Sequence, residues 1–136
     1  MAFSRTFQYR THAHDEIVDV TEDVRRAVIE SGIAHGQCLV FTPHATAAVV
    51  INENDDPNIA KDLLRALEAM VPTRNAWLHD RIDGNAAAHV KSAMLGPSET
   101  IPVAGGRLCL GTWQNVFLVE LDGPRHERQL IVSVIG

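Results

Sequence analysis

The sequence predicts an α+β domain of about seven strands and three helices, folded as one unit over residues 1–136. Three observations carry that expectation. Short apolar runs rich in β-branched residues recur in both halves of the chain. Three longer stretches have helical spacing and recognisable ends. The C-terminal part is β-like almost throughout, with turn residues but no helix between its strands, which makes antiparallel pairing the natural arrangement.

From the N-terminus, "FSRTFQYRT" alternates and reads as a strand, and "EIVDV" as a second, shorter one. Thr21 reads as a helix N-cap, because Glu22 and Asp23 after it suit the positive end of a helix dipole. In "EDVRRAVIESG", Val24, Ala27, Val28 and Ser31 share one face, and Gly32 ends the helix. "QCLVFT" and "AAVVINE" read as strands, and their nearly continuous apolarity predicts burial on both faces. "DDPNIAKDLLRALEAMV" is the second helix, with Asp55 or Asp56 as cap and Pro57 in the first turn. Its apolar stripe is Ile59, Leu63, Leu64, Leu67 and Met70, and Pro72 stops it. "TRNAWLHDRIDGN" reads as a loop. Ala86 to Leu95 is the third helix, capped by Asp83 or Asn85 and closed by Gly96 and Pro97. The remainder is β: "SETIPV", a turn at "AGG", the long run "RLCLGTWQNVFLVEL", a hairpin at "DGPR", and "RQLIVSVI".

Composition narrows the function classes. Hydrophobic residues make up 46% of the chain and charged ones 21%, the balance of a globular domain. The net charge of −5 argues against non-specific nucleic-acid binding, which needs a basic footprint. No run approaches the roughly 18 apolar residues of a membrane helix. "MAFSRTFQYRTHAHDE" lacks the apolar core of a signal peptide, so the expected location is cytoplasmic, with no membrane or nucleic-acid partner. Cys38 and Cys109 each sit in an apolar run and form no zinc-type spacing; both read as reduced, buried, small hydrophobes.

Seven histidines leave three of interest. His12, His14, His35 and His126 lie beside charges or glycine and read as solvated surface. His44 stands at a proline corner between two apolar runs, followed by small residues that leave room for a ligand or another chain. His79 sits in "WLHD", between an aromatic anchor and an acid that could orient its ring. His89 shares a helix face with Ala86 and Ala93, beside a core stripe of Ala87, Val90 and Met94. Three histidines from separate segments fit a zinc site with an open position. They fit equally a metal-free polar site, or unrelated core and surface positions, and spacing does not choose among these.

"INENDDPN" gathers Glu53, Asp55 and Asp56, either as a helix cap with a solvated loop or as a cation-binding cluster. "HDRIDGN" sets Asp80 and Asp83 close to His79. "AGGR" reads as a plain hairpin turn rather than a phosphate loop. In "GTWQN", Trp113 is either a packing residue or a platform for a flat ligand.

"FTPHATAAVVINEND", "DLLRALEAMVP", "DGNAAAHVKSAMLGPSETIPV" and "GGRLCLGTWQNVFLVELDGPR" closely resemble the YjbQ family over roughly residues 10 to 136. The resemblance implies a compact antiparallel β-sandwich with packed helices, a homotrimer, and a small-molecule substrate. Some members are described as having secondary thiamine-phosphate synthase activity. That reaction joins a pyrimidine methyl diphosphate to a thiazole phosphate and releases pyrophosphate. Carried onto this chain, the resemblance implies His44, His79 and His89 as metal ligands for zinc, with magnesium accompanying a diphosphate substrate. It points to Asp83 and Glu53 as catalytic carboxylates, with Asp55 beside them, and to Asn85 and Trp113 as substrate contacts. The chain departs from the family pattern at Ala87, a position that usually carries histidine. The alternatives are a metal-dependent hydrolase or transferase of another substrate, and a non-catalytic trimeric small-molecule binder.

Overall fold

The structure, a computed structural model, describes residues 1–136. Two antiparallel sheets enclose the core. In chain order the elements are β1 (Ala2–Tyr9), β2 (Glu16–Asp19), α1 (Thr21–Ser31), β3 (Gly36–Phe41), β4 (Ala47–Asn52) and α2 (Pro57–Met70). A 3₁₀ turn at Leu78–Arg81 leads to α3 (Ala86–Leu95), followed by β5 (Ser98–Ala104), β6 (Arg107–Leu108), β7 (Asn115–Glu120) and β8 (Arg128–Ile135). The larger sheet has the order β1-β8-β3-β5-β6, and the smaller β2-β7-β4. The α+β, sandwich-like expectation is met, with eight strands because β6 is a two-residue piece.

Period-two alternation builds the core. Cys38 and Val40 of β3, Ile101 and Val103 of β5, and Leu130, Val132 and Val134 of β8 face inward from the larger sheet. Val49 of β4 and Val116 and Leu118 of β7 meet them from the smaller one. Helix α1 adds Val24, Ala27 and Val28 to the same core and packs on strands of both sheets, as its periodicity predicted. Gly32 closes it at φ 67°, where a residue with a side chain would be strained. The N-cap differs from expectation. Thr21 lies inside the helix, and Asp19 accepts the Thr21 backbone N–H at 2.9 Å instead.

The smaller sheet is buried on both faces because α3 covers its outer side. Ala88 packs on Ala48, Phe117, Val119 and Leu121, and the Ser92 hydroxyl donates to the Ala47 carbonyl at 2.7 Å. Small side chains on α3 let helix and strand approach closely. The burial of α3 falls one residue away from the predicted stripe. Ala86, Ala87, Ala88, Lys91 and Ser92 are buried, Met94 is exposed, and Lys91 meets Glu68 of α2 at 2.8 Å. Asn85 stands at the α3 N-cap, but its side chain makes no cap bond, and Asp80 accepts the Ala86 N–H at 3.0 Å instead. Asp56 does cap α2, accepting from the Asn58 N–H. Only Leu67 of the α2 stripe is fully buried.

Three strand expectations are corrected. β3 is buried on one face only, with Leu39 39% exposed, because no helix covers the outer face of the larger sheet. "RLCLGTWQNVFLVEL" is no single strand: residues 109–114 leave the sheet, so Cys109 and Trp113 are exposed rather than packed. "DGPR" is no hairpin. β7 and β8 belong to different sheets, and residues 121–127 carry the chain across the end of the sandwich. Both cysteines are free thiols, and burial pushes Cys38 up to about 11. No helix is long and apolar enough to cross a membrane.

Candidate functional site

The "TPHAT" corner carries the chain from β3 in one sheet to β4 in the other. It is fastened to β8 at Gln129 twice. The Thr42 hydroxyl donates to the Gln129 carbonyl at 2.9 Å, and the Gln129 N–H donates to His44 Nε2 at 2.9 Å. An imidazole nitrogen that accepts has no proton, so neutral His44 carries its proton on Nδ1. Burial lowers the His44 pKa, and the Arg128 guanidinium lowers it further against the opposing pull of Glu120. His44 lines a cleft of about 390 Å³ with Pro124, Arg125, His126, Glu127 and Arg128.

Beneath that cleft lies a buried ion pair joining the two sheets. Glu120 follows Val116 and Leu118 on the inward side of β7, and Arg128 precedes Leu130 on the inward side of β8. Glu120 is 0% and Arg128 5% exposed. Arg128 Nε donates to both Glu120 oxygens at 2.8 and 3.0 Å, and Nη2 donates to Glu120 Oε2 and to the Thr46 hydroxyl. The Thr11 hydroxyl and the Leu121 and Asp122 N–H groups satisfy the remaining carboxylate lone pairs. Burial alone would raise the Glu120 pKa; the hydrogen bonds from Arg128, Thr11 and Asp122 outweigh it and lower it.

A second cluster forms where the 3₁₀ turn meets α3. The His79 and His89 rings pack edge to face, with centroids 5.0 Å apart. Asp83 Oδ2 lies 3.6 Å from His79 Nε2, too far for a hydrogen bond. His79 Nε2 is enclosed and has no hydrogen-bond partner, and so is Asn85 Oδ1. An enclosed polar atom left alone costs about 1–3 kcal/mol, so each is a position at which a group from outside the chain would be stabilising. Asn85 Nδ2 donates to Asp122 Oδ2 at 2.9 Å, and Arg125 donates to the same oxygen at 2.8 Å. Asp122 thus links Asn85, at the start of α3, to Arg125 of the His44 cleft.

Of the sequence-derived site residues, His79, Asp83, Asn85 and His89 come together, and His44 lies in the neighbouring cleft. Glu53 stands apart, in the loop before α2, where it accepts the Asp56 N–H at 3.3 Å. Trp113 is 59% exposed in the loop between β6 and β7, held by Gln114, whose side chain accepts the Gly111 N–H. No group of three His, Cys, Asp or Glu side chains is placed to hold a metal ion. The donor set of this chain therefore does not fit a zinc held by His44, His79 and His89 together. Ala87 is packed in the buried face of α3. Glu120, Asp122, Arg125 and Arg128 were missed by sequence reasoning. A charge at an inward position of an alternating strand was the available signal for Glu120 and Arg128.

Residues 5–136 match the family described as UPF0047 protein YjbQ-like. The chain is 43% identical over 135 residues to UPF0047 protein YugU of Bacillus subtilis, covering 97% of this chain and 98% of that one. It is 44% identical over 125 residues to a UPF0047 protein of Archaeoglobus fulgidus, covering 92% and 96%. Its fold is similar to that of a YbjQ-like protein of unknown function from Sulfolobus solfataricus, with a TM-score of 0.98, 40% identity, and 100% and 98% of the two chains covered. A YjbQ/UPF0047 protein of Clostridium acetobutylicum superposes with a TM-score of 0.92 at 39% identity, covering 96% and 99%.

Proposed function

Because the chain belongs to the UPF0047 family of YjbQ-like proteins, we propose that it is a cytoplasmic small-molecule enzyme of thiamine-phosphate synthase type. The observation that supports this reading is the pair of enclosed, unpartnered polar atoms, His79 Nε2 and Asn85 Oδ1, beside His89. A substrate group reaching either atom would supply the partner it lacks. His79 and His89 then move protons, Asp83 places a carboxylate 3.6 Å from His79 Nε2, and Asn85 positions the substrate. Joining a pyrimidine methyl diphosphate to a thiazole phosphate breaks a carbon–oxygen bond and releases pyrophosphate, so the leaving group needs nearby donors. Arg125 and His44 stand on the far side of Asp122 for that role.

Metal enters this reading in two forms: zinc on His79 and His89 with its third ligand from outside this chain, or magnesium carried by the diphosphate. Self-association into a trimer belongs to it as well. The uncovered face of the larger sheet has no charged side chain on β1, β8, β3 or β5; Thr6, Leu39, Thr100, Ile131 and Ile135 are typical of it. Depletion of charge over a whole face suits contact with another copy.

The test is pyrophosphate release from the two precursors, with and without magnesium, beside elemental analysis of the untagged protein. His79→Ala and His89→Ala should each lower turnover by about 10²–10⁴-fold. Unchanged turnover in both variants would sink the assignment. Binding of the precursors without pyrophosphate release would make the protein a binder. Release of inorganic phosphate instead would make it a hydrolase.

A further inference from the structure

We propose that the cleft at His44 is a phosphate-binding site whose fixed donor is Arg128. This deepens the reading above by naming the chemical group taken at that end of the site, and it rests on that reading for its use but not for its test.

Arg128 is a buried cation held by Glu120 and Thr46 through Nε and Nη2. Its other terminal nitrogen, Nη1, makes no hydrogen bond in the chain. Arg128 lines the cleft although it is only 5% exposed. His44 lines the same cleft, and with Nε2 engaged by Gln129 its Nδ1 proton has no acceptor in the chain. Arg125 is fixed in a similar way. Its Nε donates to the Asp122 carbonyl at 2.8 Å and its Nη2 to the Asp122 carboxylate, leaving Nη1 without a partner. A second groove of about 270 Å³ shares Pro124, Arg125 and His126 with the cleft and adds Arg10, Thr11 and His12.

The cleft therefore presents donors whose positions are set by bonds made behind them. Glu120 and Asp122 hold the two arginines but neither lines the cleft. Glu127 is the one carboxylate that does. A ligand for such a wall is rich in acceptors and anionic, and a tetrahedral phosphate offers acceptors in several directions at once. Guanidinium groups preorganised by a buried carboxylate lose little freedom on binding it.

The experiment is calorimetric titration of the full chain with inorganic phosphate and with pyrophosphate at low ionic strength. Arg128→Met risks unfolding, so the readout rests on Arg125→Gln and His126→Ala, which lie on the exposed crossover segment. Each should weaken binding about tenfold, the effect of one charge-assisted hydrogen bond. Glu127→Gln should tighten it. The control is Arg25→Gln with Arg107→Gln, in the separate groove of about 650 Å³ between α1 and the β5–β6 turn; it should bind as wild type. The site is overturned if neither anion saturates at millimolar concentration, if the control weakens binding equally, or if Arg125→Gln and His126→Ala bind normally. Phosphate binding with this pattern but no turnover would reject the activity and keep the site. Turnover without anion binding would do the reverse.

Discussion

Replacing Arg128 with methionine should cost about 3–5 kcal/mol, the usual penalty for removing one partner of a buried ion pair. The guanidinium makes three contacts to Glu120 and two to Thr46, all inside the sandwich. Methionine fills part of the space but leaves a carboxylate with no exposure and no cation. Thr11 and two backbone N–H groups remain to solvate it, too few for a full negative charge. The pH dependence carries a sign. In wild type the Glu120 pKa is lowered, so its contribution is present above the ordinary carboxylate pKa and is lost as pH falls through the lowered value. In Arg128→Met burial is no longer outweighed and the pKa rises instead. The gap between variant and wild type should therefore be widest at neutral pH and narrow towards acid. Glu120→Gln on top of Arg128→Met keeps an acceptor for Thr11 and the N–H groups without the charge, so the double variant should be more stable than the single one. Urea unfolding followed by circular dichroism, at one protein concentration to hold any self-association constant, reads all three. A loss below about 1 kcal/mol, the range of exposed pairs, would refute the reasoning. So would a double variant less stable than Arg128→Met.

Three other outcomes follow from the packing. In Lys91→Met, Glu68 should titrate above its wild-type value of about 2, because the Lys91 bond is lost while the two Thr73 bonds remain; carbon-13 NMR of the carboxyl group reads this, and the stability lost as pH falls towards 2 should be smaller in the variant than in wild type. Gly123→Ala should destabilise the fold by about 1–3 kcal/mol, because its Cβ would lie 2.1 Å from the Ala13 carbonyl oxygen and 2.9 Å from Glu120 Cγ; a melting temperature equal to wild type would contradict it. Leu39→Glu places a charge in the middle of the uncharged sheet face, and sedimentation velocity should show a smaller species than wild type with an unchanged fold; an identical sedimentation coefficient would exclude that face as the contact.

The helices were legible because each carries both a period and a stop. Gly32, Pro57, Gly96 and the apolar positions of α1 placed them within a residue or two. Strand partners were less so. "DGPR" has the composition of a hairpin turn, yet the same residues serve a crossover between sheets, and nothing in the four residues tells which sheet the next strand joins. β3 and β4 look alike as apolar runs, and only the position of α3 buries the second face of one and not of the other. His79 and His89 could be named from their immediate neighbours in sequence, and Asp83 and Asn85 through the family resemblance. Glu120 and Arg128 meet by strand register across two sheets, and Arg125 and Asn85 meet through Asp122. Such encounters come from tertiary pairing, which local pattern does not encode.

The pairing of β1 with β8 also bears on how the protein is made. Phe3, Phe7 and Tyr9 leave the ribosome long before their sheet partner, Arg128–Ile135. β2 and β4 wait similarly for β7, and only the β5–β6 hairpin forms between near neighbours. A nascent chain can wind α1 but cannot close either sheet until β7 and β8 have been made. Such a topology has high contact order and places folding in the millisecond-to-second range. Unpaired strand edges stay available to chaperones, or to other nascent copies, until those two strands arrive.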